Sequence, residues 1–398
     1  MERRFDIALF GATGFTGALT AEYLVANAPP GAKLALAGRS PQKLEALAAR
    51  LGDPAVGLVV ADVSDPESIR ALAQSTRVAI STVGPFLTHG EPLVAACAAA
   101  GTDYLDISGE SEFVDLMYLR YHEQARESGA RLVHSCGYES IPFDLGALFT
   151  VSQLAAGEPV ALAGFGQSNG SISGGTLRSA VNALARFQEA GRVSRQRRAI
   201  ERHAPDGVIA EGRTVRSAQA RPHRESLVGG WVVPAPLIDA RHVLRSARLD
   251  SAYGPEFTYA HYVVTRRLGR TIALYAGLPV LLTLAQFGPT RRLVLTYRRA
   301  GEGPSAERRA RSRFKVTFIA DHGSPRRRRR LVTSVSGGDP GYDETAKMLA
   351  ESAFALAFDD DLPARGGGQL TPALALGHPL IRRLQRAGIR FEVLSDEV

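Results

Sequence analysis

A chain of 398 residues, 45% apolar and 22% charged, is long enough for two globular units and too evenly mixed for a fibrous or disordered protein. The net charge of +8 is unevenly placed: residues 1–150 hold 11 basic and 18 acidic side chains, and the remainder holds 37 and 22. Two cysteines without metal-ligand spacing, Cys97 and Cys136, exclude a disulfide scaffold and fit a reducing, cytoplasmic setting, and the charged start of the chain does not read as a secretion signal.

The first element is an apolar strand, Phe5 to Phe10, running into Gly11-Ala12-Thr13-Gly14-Phe15-Thr16-Gly17 and then a helix to Asn27. This is the context in which a glycine triplet cradles a dinucleotide. Gly11 makes the tight turn, Gly14 lets the backbone approach a pyrophosphate, and Gly17 lets helix and strand pack closely. The unpaired N–H groups of the helix N-terminus then favour the phosphates.

The next strand, Lys33 to Ala37, ends in Gly38-Arg39-Ser40. A carboxylate there would take a ribose 2′-hydroxyl and repel a 2′-phosphate; a guanidinium does the opposite, forking onto the phosphate. NADP(H) is therefore expected over NAD(H). Ser40 reads both as a hydroxyl donor to that phosphate and as the N-cap of a helix opening at Pro41.

A third strand, Gly57 to Ala61, places Asp62 beside the adenine edge, and a helix follows over 65–73. The fourth strand, Arg77 to Val83, leads into Gly84-Pro85, so Val83, Gly84 and Pro85 belong near the nicotinamide half. A small-residue helix over 91–100 and strands at Tyr104–Asp106 and Arg131–Ser135 complete the alternation. The fold class is α/β, with a doubly wound parallel sheet covered on both faces.

In the second half, strand-like runs occur at Val160–Phe165, Phe257–Val264 and Phe314–Ile319, with helical periodicity over Asp343–Asp359 and Ala373–Ala387 and a short extended piece at Phe391–Leu394. Residues 271–288 carry no charge and are flanked by Arg266, Arg267, Arg270, Arg291 and Arg292. With Pro279 near its middle, the stretch reads as peripheral contact with the inner face of a membrane or as core, not as a span. The basic runs Arg192–Arg202, Arg308–Lys315 and Arg326–Arg330 are solvated faces or a surface for an acidic carrier protein or anionic bilayer. No recognition motif supports nucleic acid. An oligomer is compatible with the chain.

Several motifs carry a family resemblance. The glycine loop, Ala37–Ser40, Val83–Phe86, Tyr104–Glu110 and Gly137–Asp144 resemble the saccharopine-dehydrogenase-like NAD(P)-binding proteins. Ser173–Leu177, Gly338–Tyr342 and Leu370–Gly377 look like the branch called trans-acting enoyl reductases, which serve polyketide synthases in the synthesis of long-chain lipids. The resemblance implies a Rossmann doubly wound sheet over 1–150, a second, mixed-sheet α/β unit inserted after it over 151–337 and facing the substrate, and a C-terminal return over 338–398 that packs on the first. It also implies an NADPH-dependent oxidoreductase acting on acyl thioesters held by a polyketide synthase or an acidic carrier. The other readings are an amino-acid or imine oxidoreductase, with Arg178 or Arg186 taking substrate carboxylates, and a non-catalytic, lipid-associated nucleotide-binding protein.

Reduction of an enoyl thioester leaves an enolate that needs a hydrogen-bond donor and a proton. Candidates at the strand ends are Tyr104, Asp106, Glu110, Tyr138, Glu139 and Ser140, with Tyr138 the first choice and Glu110 the second. His89, His134 and His203 are scattered, and no metal site is expected.

Overall fold

The computed structural model describes residues 3–170, 185–202, 212–235, 238–265, 303–323 and 328–397, together with Gly269 and Gly277. Strand and helix alternate through β1 (Phe5–Phe10), α1 (Phe15–Asn27), β2 (Leu34–Gly38), α2 (Pro41–Leu51), β3 (Gly57–Val60), α3 (Pro66–Ser75), β4 (Thr76–Ser81), α4 (Phe86–His89), α5 (Glu91–Ala100), β5 (Asp103–Asp106), α6 (Ser111–Ser128), β6 (Arg131–Val133) and α7 (Ile141–Val151). There follow β7 (Val160–Ser168), α8 (Phe187–Glu201), β8 (Thr214–Ser217), β9 (His223–Glu225), β10 (Gly230–Pro234), α9 (Ile238–Leu249) and β11 (Glu256–Thr265). The chain continues through α10 (Ala306–Arg311), β12 (Phe314–His322), β13 (Arg329–Gly337), α11 (Asp343–Phe358), β14 (Gly368–Leu370), α12 (Pro372–Arg386) and β15 (Arg390–Glu397).

The first sheet has the order β14-β6-β5-β4-β1-β2-β3, and every pairing is parallel. Ile7 lies opposite Leu34 on one side and Val78 on the other. Strands covered on both faces read as continuous apolar runs, which is why β1, β2 and β4 stand out in the sequence. Ile7, Leu9, Leu36, Val78 and Ile80 are all buried, each contributing about 1.5–3 kcal/mol of transfer free energy. The strand order reverses between β1 and β4. Ligands bind at such a switch point, outside the carboxyl ends of the strands.

The second sheet is mixed, in the order β15-β13-β12-β7-β11-β10-β9 with β8 also paired to β11. β7 and β11 run parallel, while β12 pairs antiparallel with both β7 and β13. Helix α7 ties the sheets together: a Cβ on Gly146 would lie 2.3 Å from the Phe318 ring, so only glycine lets helix and sheet approach this closely.

Residues 338–397 serve both sheets. α11, almost wholly buried, packs on α1 and against β4 and β5; β14 extends the first sheet beyond β6; and β15 forms an edge of the second. Among the described residues no helix is long and apolar enough to cross a membrane. The stretch 271–288, apart from Gly277, lies outside the described residues, as do Arg178 and the motif at 173–177.

Candidate dinucleotide site and reaction centre

The glycine loop is fixed by contacts that only glycine allows. Gly11 has φ +86° and donates its N–H to Ala37 O at 3.0 Å, while Gly14 N–H returns to Gly11 O at 3.0 Å. A Cβ on Gly17 would stand 2.1 Å from that same Gly11 carbonyl oxygen. Thr82, at the exit of β4, donates its hydroxyl to Gly11 O at 3.1 Å and braces the loop from below. No side chain caps α1, and its first turn holds no acid. Its N–H groups are left for an anion. Ala12 is buried under the loop, Thr13 and Gly14 are exposed, and Thr16 begins the first turn. The Phe15 ring packs edge-on to Tyr342, centroids 4.9 Å apart, with the Arg309 guanidinium 5.6 Å above it.

Gly38 brings the end of β2 next to Thr13, whose Oγ1 lies 4.0 Å from the position of a Gly38 Cβ. Arg39 follows with its guanidinium exposed. Ser40 caps α2, accepting the Lys43 N–H at 3.4 Å. The Asp62 carboxylate accepts from Ser64 N–H at 2.9 Å and Ser64 Oγ at 2.8 Å. These bonds, with a smaller attraction from Arg39, hold its pKa below the ordinary value. Loop, Arg39 and Asp62 thus surround the ends of β1, β2 and β3. A backbone cradle that a Cβ would fill, an uncapped helix N-terminus and an exposed guanidinium in place of an acid fit NADP(H).

Past β4, Val83 touches Gly11, and Gly84-Pro85 leads into α4. Glu110 caps that helix: Oε1 accepts Phe86 N–H and Oε2 accepts Leu87 N–H, each at 3.0 Å. Both carboxylate oxygens are engaged in holding the turn. Asp106 is likewise committed, accepting from Tyr104 OH at 3.0 Å, Ser108 N–H at 2.9 Å and Ser135 N–H at 2.9 Å, and lying 2.7 Å from His134 Nδ1.

Tyr138 and Glu139 occupy the loop between β6 and α7. The Tyr138 ring packs edge-on to Phe314 at 5.2 Å and Phe143 at 6.3 Å. Burial, followed by the carboxyls of Asp239 and Glu139, pushes its pKa up, so it is a protonated donor at neutral pH. Glu139 Oε2 is closed off from solvent and has no hydrogen-bond partner among the described residues. Burial, with a contribution from Asp106, pushes its pKa up to about 7.

Sequence reasoning missed the groups facing this pair. Asp239, in the first turn of α9, is buried, and burial together with Glu139 raises its pKa well above the carboxylate range. Its Oδ2 lies 3.5 Å from His261 Nε2, and His261 Nδ1 lies 3.2 Å from Tyr259 OH. Burial lowers His261 to about 4. Tyr138, Glu139, Asp239 and His261 therefore converge where the carboxyl edge of the first sheet meets the second. The one available signal was His261 within the largely apolar β11; Asp239 lies in a helix with several other charged residues and gave none. Among the described residues no group of three or more His, Cys, Asp or Glu could hold a metal.

The family described as saccharopine dehydrogenase NADP binding domain matches residues 7–133. A Mycobacterium tuberculosis relative is 37% identical over 98% of this chain and 97% of its own. Proteins named trans-acting enoyl reductase from Mycobacterium ulcerans and Mycobacterium bovis are 35% and 36% identical, with the same coverage. The solved saccharopine dehydrogenase (L-Glu forming) of Saccharomyces cerevisiae aligns over 98% of this chain and 100% of its own, with TM-score 0.53 and 13% identity, and shares the fold. With its NADP-binding domain and full-length relatives, the chain belongs to the saccharopine-dehydrogenase-like family, in the branch of the trans-acting enoyl reductases.

Proposed function

We propose that the protein is an NADPH-dependent enoyl reductase acting in trans on unsaturated acyl chains held as thioesters by a polyketide synthase or its acidic carrier. The observation that carries this reading is the convergence of Tyr138 and Glu139 at the carboxyl edge of an NADP-binding sheet, in a chain 35% identical over 98% of its length to a trans-acting enoyl reductase.

Bound NADPH supplies a hydride, which reduces the β-carbon of the enoyl group. The glycine loop and the N-terminus of α1 hold the pyrophosphate, and Arg39 takes the 2′-phosphate. Glu110 fixes the Val83–Leu87 turn against which the nicotinamide half rests. Tyr138 donates its hydroxyl proton to the enolate formed on the substrate. Glu139, whose pKa burial raises to about 7, returns a proton to Tyr138. The C=C bond thus gains a hydride and a proton, and the proton comes ultimately from solvent.

The basic second half supplies the surface for an acidic carrier, and the uncharged stretch 271–288 supplies acyl or peripheral membrane contact. Carrier binding then weakens steeply between low and physiological salt, where surface charges are screened over about 8 Å. Liposome co-sedimentation with and without 271–288 separates membrane contact from carrier docking.

Incubation of a carrier-bound enoyl thioester with NADPH should give cofactor oxidation and a product heavier by two hydrogens. NADPH oxidation with an imine or keto acid plus amine, and with no enoyl thioester, overturns the reading in favour of amino-acid or imine chemistry.

A further inference from the structure

A small cavity lies at the same carboxyl edge, between α6, α8, α9 and the end of β14. Its polar wall is Arg197, Arg241, Arg245, His134, His242 and Gln369, and its apolar wall is Val114, Ile238 and Leu370. Its volume of about 20 Å³ excludes a nucleotide, and it is partly open to solvent. None of these residues takes part in the dinucleotide site or in the Tyr138–Glu139 centre.

Three guanidinium groups on these walls share two carboxylates. Asp115 pairs with Arg197 at 2.7 Å and with Arg241 at 2.5 Å, and Glu201 pairs with Arg245 at 2.6 Å and with Arg197 at 3.7 Å. Asp106, 2.7 Å from His134, adds a third carboxylate. Arg197 and Arg245 are only 7% and 6% exposed. The Tyr118 ring lies 4.5 Å from the Arg197 guanidinium and 5.3 Å from that of Arg245, so both are held in place before any ligand arrives. Each guanidinium has five N–H donors, and the bonds above leave some on all three uncommitted.

Three buried polar atoms on the same walls have no hydrogen-bond partner among the described residues: His134 Nε2, His242 Nδ1 and Gln369 Oε1. His134 is fully buried, and its other nitrogen is engaged 2.7 Å from Asp106 Oδ2, which fixes the ring and leaves Nε2 as its open end. Burial, and after it the surrounding arginines, depress the His242 pKa well below its ordinary value, so this ring is neutral. A neighbouring residue links this cavity to the reaction centre: Ile238 lines it, and Asp239 faces Glu139 and His261.

We propose that this cavity is a binding site for a small oxyanion, a carboxylate or an inorganic phosphate, held by Arg197, Arg241 and Arg245 with an imidazole as the additional donor. Forked guanidinium groups match planar or tetrahedral oxyanions. The charged groups around the cavity are Asp106 from β5, Asp115 from α6, Arg197 and Glu201 from α8, and Arg241 and Arg245 from α9.

The test is calorimetric titration of the NADPH-bound full chain with inorganic phosphate, acetate and malonate. Saturable binding by at least one is expected. Arg241→Gln, at a partly exposed position, should weaken it by about tenfold or more, and Val114→Leu, which narrows the cavity without touching a charge, should also weaken it. Absence of saturable binding by all three anions, or binding unchanged in Arg241→Gln, overturns the proposal. In initial-rate assays, an anion competing with the acyl substrate marks the site as overlapping the substrate's own position, and an effect without competition marks a free anion as its ligand. Both outcomes support the site. Failure of the enoyl reductase reading would show as missing NADPH oxidation and would leave the titrations intact.

Discussion

A Cβ on Gly17 would lie 2.1 Å from the carbonyl oxygen of Gly11, a backbone atom also held by Thr82 Oγ1 at 3.1 Å. Neither side can yield, because one is the first turn of a helix and the other a residue at φ +86°. Gly17→Ala must therefore displace α1 from the loop. The expected outcome is loss of about 1–3 kcal/mol of stability, as for other overpacked sites, and loss of NADPH binding in fluorescence titration. Gly14→Ala meets the same oxygen only at 3.3 Å and should be milder in both measurements.

Under the proposed assignment, Arg39 sets the choice between the two nicotinamide cofactors. It is exposed, just past β2, with Thr13 and Asp62 as neighbours. Losing a charge-assisted contact to the 2′-phosphate costs about 1.5–3 kcal/mol, roughly a tenfold to hundredfold loss of affinity. Arg39→Asp should narrow or reverse the preference for NADPH over NADH in paired titrations. Equal affinity of the unaltered protein for both cofactors would remove Arg39 from this role.

Glu110 separates a structural carboxylate from a catalytic one. Its two oxygens each accept a backbone N–H of α4, so Glu110→Gln turns one acceptor into an NH2 group facing another donor. Such a mismatch in a buried place costs about 1–3 kcal/mol. Weaker NADPH binding with an unshifted pH profile of turnover is the expected result. A profile that moves would return Glu110 to acid–base duty.

The dinucleotide site was legible because its parts are local. The glycine loop directly follows β1, and Arg39 directly follows β2, so position along the chain is position in space. The parallel strands were legible because buried strands are apolar throughout. β14 was not, since three residues at a sheet edge give no periodicity. The reaction centre was half legible: Tyr138 and Glu139 follow β6, but Asp239 and His261 meet them only through packing of α9 and β11 from about a hundred residues away. His134 looked isolated in the sequence, yet it sits 2.7 Å from Asp106, and the run at 192–202 contains the buried Arg197 as well as solvated arginines. Charge runs say nothing of which member turns inward.

Tyr138 and Glu139 give the most discriminating pair of variants. Tyr138→Phe removes the donor and keeps the ring against Phe314 and Phe143, so turnover should fall by about 10²–10⁴-fold with NADPH binding intact. Glu139 titrates near 7 in the folded protein against an ordinary value of 4.5. Turnover that depends on its protonated form should decline as pH rises through about 7, and Glu139→Gln should lower the rate and flatten that decline. The same residue predicts the sign of a stability change. Between 4.5 and about 7 the folded state holds a proton that the unfolded state has released, so the native protein loses stability as pH rises through this window. The shift corresponds to about 3 kcal/mol above neutrality. Glu139→Gln escapes that loss, and its denaturation midpoint should exceed the native one above pH 7, with the gap closing below 4.5. A gap that is constant across this range would show that Glu139 does not titrate where its burial places it, and the proton supply to Tyr138 would then have to come from Asp239 or from solvent.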